Sequence, residues 1–132
     1  MDAETAQIFY DEVEARYPRA GKYVGDYYVR KDVPNMDSID GYFGESETLP
    51  GIRIVKMSDM GPSPAAGWRS KVSERVKRLA EAIRESQELN PLIVGIDYKT
   101  GPFIIEGSHR IDALDYLDAK VFPAVVVVGY DD

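Results

Sequence analysis

Four consecutive valines at positions 125–128, inside the stretch "FPAVVVV", constrain this chain more than any other feature. A continuous β-branched run does not alternate between a wet and a dry face, so it predicts a strand in a sheet covered on both sides. Helices or other layers must therefore come from elsewhere in the chain. At 132 residues and 44% hydrophobic, the chain suits one compact core, residues 1–132, with no need for staples. It contains no cysteine, which excludes disulfides, thiolate zinc sites and thiol nucleophiles.

The layers to cover that strand are readable. Residues 70–86, "SKVSERVKRLAEAIRES", place Val72, Val76, Leu79, Ala80 and Ile83 on one helical stripe, with Ser70 as N-cap. Residues 3–17 place Ala6, Phe9, Tyr10 and Val13 at helical spacing, and Pro18 ends the run. "LIVGID" and "FIIEG" read as strands joined by the turn "YKTGP", and a helix follows from about Ser108 to Leu117 with Ile111, Leu114 and Leu117 inward. "GIRIVKM", 51–57, reads as a strand with Ile52, Ile54 and Met57 on its apolar side. The Pro- and Gly-rich "SDMGPSPAAGW" after it is a loop, with a lid or hinge as the sharper alternative. Residues 19–50 show no sustained period, which leaves short strands or a loose lobe open. The order predicts an α+β domain: a small mixed sheet with packed helices.

Charge and composition remove several functions. A formal net charge of −7 argues against nonspecific binding of duplex phosphates, although 16 Lys and Arg allow a local basic groove. The amino terminus is acidic and no apolar run spans a bilayer, so a cytoplasmic protein without a membrane partner is expected. Tyr23, Tyr27, Tyr28 and Tyr42 would suit a protein-binding surface, or ordinary packing.

Chemistry concentrates in "IIEGSHRIDAL", residues 104–114. Gly107 sits where the chain reverses between strand and helix, and Ser108 suits the N-cap. The first backbone N–H groups of the helix, about 108–110, have no intrahelical acceptor, which makes the turn an anion site by construction. Arg110 adds a guanidinium fork suited to phosphate oxygens, and His109 a donor that gains charge near neutral pH. Glu106 suits a magnesium ligand on phosphate oxygens or a base for a substrate hydroxyl, and equally well a plain carboxylate favoured by the helix dipole.

The stretch "RLAEAIRESQELNPLIVGID...FIIEGSHRIDALDYL...VFPAVVVV" resembles the ParB amino-terminal domain and sulfiredoxin superfamily, over about residues 70–128. The resemblance makes 70–132 the superfamily core and 1–69 a family-specific helix and lobe. It implies that Gly107, Ser108, His109 and Arg110 wrap nucleotide phosphates. It also implies that Asn90, Pro91 and Leu92 lie beside the nucleotide, and that Arg75 and Arg78 face the phosphates from the helix. The expected ligand is ATP or CTP with Mg2+, and the expected activity NTP hydrolysis or phosphoryl transfer, with Glu106 and His109 as the catalytic candidates and Glu106 as the metal ligand. Two departures narrow this. Sulfiredoxin carries cysteine where this chain has Ser108, which rules against sulfinic-acid reduction. ParB carries a second arginine at His109 and continues into a DNA-reading domain, which is not expected in a chain that ends at Asp132. A ParB-like nuclease acting on DNA and a non-catalytic plasmid or phage accessory module remain the alternatives.

Overall fold

The computed structural model describes residues 1–32, 35–60 and 73–131. It is an α+β fold in which β8 (Val121–Gly129) is the hub of a mixed five-stranded sheet. Strand β6 (Leu92–Asp97) pairs parallel to one side of β8, and β7 (Phe103–Glu106) lies antiparallel outside β6. On the other side of β8, β3 (Ser46–Thr48) and β4 (Arg53–Lys56) pair antiparallel at its two ends. A small second sheet runs β1 (Tyr23–Val24), β2 (Tyr27–Val29), β5 (Glu88–Leu89), with β2 and β5 parallel.

The valine run does what its composition requires. Phe122, Ala124, Val126 and Val128 enter the main core beneath helices α1 (Ala3–Arg16), α2 (Glu74–Ser86) and α3 (Ser108–Tyr116). Val127 points to the opposite face, where Ile39, Ile93 and Ile105 make a second, smaller cluster. Pro123 precedes the β6 ladder, which starts at Ala124, so its missing N–H falls outside that pairing. A 3-10 helix, Met36–Gly41, covers this second face together with Phe43. Phe43 can lie that close because the sheet beneath it is glycine: a Cβ on Gly129 would collide with its ring, and one on Gly95 would stand 3.1 Å from it.

Two local expectations are corrected, and a third lies largely outside the described residues. Helix α2 is capped by Ser73, whose hydroxyl accepts from Val76 N at 3.2 Å; Ser70 and Val72 lie outside the described residues. The proposed lid, 58–68, falls outside them from residue 61 onward. In β4 the buried side chains are Arg53 and Val55, not the Ile52 and Ile54 side. Arg53 tolerates this because its guanidinium donates to the carbonyls of Pro50 and Tyr17, at 3.0 and 3.1 Å, tying the end of α1 to the sheet. The 19–50 region holds short strands and the 3-10 helix, with Tyr23, Tyr28 and Tyr42 exposed and Tyr27 packed on the main core.

Candidate functional site

Helix α3 begins abruptly. Gly107 is its N-cap at φ 107°, ψ 30°, a conformation that L side chains rarely adopt, and a Cβ there would stand 2.8 Å from Leu92 Cγ. Ser108 is therefore the first helical residue, not the cap, and no side chain caps this helix. The first backbone bond of the helix runs from Ile111 N to Gly107 O at 2.9 Å, so the amides of Ser108, His109 and Arg110 precede the ladder. The other two α-helices among the described residues are finished differently. Asp2 caps α1 and Ser73 caps α2, and each has a glutamate in its first turn, Glu4 and Glu74, where α3 has no acidic residue. The positive end of the α3 dipole is thus the one with neither a side-chain cap nor a first-turn carboxylate.

Arg110 turns back from α3 to the segment before β6. Its Nη1 donates to Asn90 O at 2.9 Å and Pro91 O at 3.0 Å, leaving Nε and Nη2 outside those two bonds. Burial pushes its guanidinium pKa below the ordinary arginine value, an effect that the Glu106 charge partly offsets. A desolvated cation held by neutral carbonyls is a strong attractor for an external anion. Asn90 itself keeps its side-chain oxygen buried with no hydrogen-bond partner. Asn90 and Arg110 help to line a groove of about 290 Å³, together with Arg30, Glu88, Leu89 and Leu79, Ala82, Ile83 and Ser86 of α2.

The structure therefore gathers Asn90, Pro91, Leu92, Gly107 and Arg110 into one contact set. Ser108 and His109 stand exposed on the first turn beside it. His109 is near Asp112, whose carboxyl burial lifts and whose lift the histidine partly cancels. Arg75 and Arg78 are exposed on α2 and do not line the groove; Arg75 lies one helical turn beyond Leu79 on the same face. Unlike Lys77 and Arg84, which pair with Glu74 and Glu81, neither makes an ion pair among the described residues.

Glu106 is placed by a bulge. Glu106 pairs with Ile93 and Ile104 with Val94, so Ile105 is an extra residue between them. That extra residue turns Glu106 toward the second face of the sheet, where Ser38 Oγ donates to its Oε2 at 3.0 Å. Ser38 and Arg30 were not legible as site neighbours. Both come from the aperiodic 19–50 region, and Arg30 reaches the groove only through the long-range pairing of β2 with β5, where it bonds Glu88 at 3.1 Å.

Among the described residues, no three His, Cys, Asp or Glu gather as a metal site, and no helix is long and apolar enough to cross a membrane. The family model of the ParB N-terminal domain matches residues 43–132, which takes in β3 and β4 as well as everything from α2 onward. No curated protein matches the chain. Among solved structures, a Pnob8-like ParB-N domain is similar at 18% identity, with a TM-score of 0.44, over 66% of this chain and 32% of its own. The chain thus spans about a third of the length of that protein.

Proposed function

Since this chain belongs to the ParB N-terminal domain family, we propose that it binds a nucleoside triphosphate, ATP or CTP, with the phosphates on the turn 107–110. The observation that carries this reading is the uncapped start of α3 beside a partly desolvated Arg110. Three first-turn amides and the guanidinium edge that carries Nε and Nη2 would be the donors to one anion, on a turn whose backbone geometry and packing against Leu92 require Gly107. The groove that Asn90 and Arg110 help to line offers space for the remainder of the ligand.

Magnesium on the bound phosphates would find Glu106 as the carboxylate next to the turn, with Oε1 outside the Ser38 bond. The ion would neutralise phosphate charge, and most of its ligands would come from phosphate and water oxygens. Hydrolysis or phosphoryl transfer is the turnover this supports, with Glu106 as the group able to hold a proton or orient an attacking oxygen. A nuclease reading needs a basic track for the nucleic-acid backbone, and a net charge of −7 does not favour one. The test is amide NMR during titration with ATP or CTP and magnesium. Ser108, His109 and Arg110 should show the largest shifts; saturation that leaves those three unmoved would place the ligand elsewhere and overturn the assignment.

A further inference from the structure

Ser38 lies 68 residues from Glu106 in sequence, on the 3-10 helix ahead of the residues the family model matches, yet its hydroxyl bonds the carboxylate next to the phosphate turn. That carboxylate is an internal competitor for the site. Glu106 immediately precedes the N-cap, its charge already reaches Arg110, and a carboxylate at a helix N-terminus is favoured by the dipole and by the first-turn amides. A competitor tethered one residue away acts at high effective concentration, so a freed Glu106 would occupy the same donors as an incoming anion.

We propose that Ser38 is a positioning residue for this site: by holding Glu106 Oε2 from the second face of the sheet, it keeps the carboxylate off the first-turn amides of α3 and off Arg110, which stay open to an external phosphate, and it leaves Oε1 for a magnesium ion on that phosphate. The β7 bulge aims Glu106 at that face and the Ser38 hydroxyl fixes it there. Ile39, the next residue, anchors the 3-10 helix in the second cluster, so the hydroxyl is presented from a packed element. The inference rests on the phosphate reading of the turn and adds to it a control that comes from outside the matched region.

The experiment measures metal-free tripolyphosphate binding to the full chain by calorimetry, which isolates the turn from base recognition and from magnesium. Ser38→Ala should weaken binding on the order of tenfold, the worth of one hydrogen bond to a charged group. Ser38→Thr, which keeps the hydroxyl, should bind like wild type. Adding Glu106→Gln to Ser38→Ala should restore binding, because a neutral amide no longer competes. A merely structural role for Ser38 would not be rescued by a change at Glu106. Equal binding by wild type and Ser38→Ala, or a double variant as weak as Ser38→Ala, overturns the proposal. So does a wild type that binds no tripolyphosphate; parallel titrations with ATP and CTP plus magnesium then show whether the phosphate reading falls with it.

Discussion

Gly107 decides whether the turn can exist. Its φ of 107° and the 2.8 Å approach to Leu92 Cγ leave no place for a Cβ, so Gly107→Ala is expected to cost about 1–3 kcal/mol, read as a fall in Tm. Arg110 is less simple than its sequence setting implies. It is a phosphate candidate, but its Nη1 also satisfies the carbonyls of Asn90 and Pro91, so any loss of binding on its replacement has to be read on protein shown to be folded. Gly-Ser-His-Arg at a strand-to-helix junction was legible because one residue carries each part of the chemistry. The bond from Ser38 was not, since no local pattern announces a contact across 68 positions. Tyr130 gives a pH prediction. Burial, then the charge of Glu47 and the neighbouring Tyr10 and Asp11, push its phenol up to about 12 from 10.0. The unfolded chain ionises first, so the associated stability is complete below pH about 10 and is lost as pH rises through about 12. Alkaline unfolding followed by circular dichroism should show this loss, reduced in Tyr130→Phe.

At the scale of elements, the strongest patterns were read correctly and the weakest were not. The valine run gave β8 its place at the centre of the sheet, and the stripe Val76, Ala80, Ile83 gave α2 its buried face. The face of β4 was misread because an arginine side chain counts as polar in any alternation rule. Arg53 is nevertheless 3% exposed, its cost offset by two carbonyls that only the folded chain brings near. The 3-10 helix escaped prediction for a related reason: "NMDSIDGYF" has no period, and its position is set by Phe43 settling over Gly95 and Gly129. Filling that slot with Gly129→Ala should displace Phe43 and the helix that presents Ser38. A stability loss of about 1–3 kcal/mol is expected, together with faster amide exchange over 36–43 than elsewhere in the sheet. Unchanged exchange there would separate the helix from the slot.

For the whole molecule, the two faces of one sheet divide the work. Helices α1, α2 and α3 close the main core, and the 3-10 helix closes the second cluster and holds Glu106. Phe9, Val13 and Tyr17 of α1 and its C-cap are buried in that main core, and all precede residue 43, where the family match begins. A chain reduced to residues 43–132 should therefore lose the cooperative thermal transition of the full chain, as seen by near-UV circular dichroism. Net charge of −7 makes the proposed phosphate turn a local exception on an acidic surface, so selectivity must come from the built donors of α3 and Arg110 and not from a general field. Whether this turn holds nucleotide phosphates is decided by calorimetric titration of the full chain with ATP, CTP and GTP at millimolar concentration, with and without magnesium. ATP or CTP should bind saturably, tripolyphosphate should compete that binding away, and a folded Arg110→Ala variant should lack it; binding of none of the three nucleotides means that the turn is not a nucleotide site.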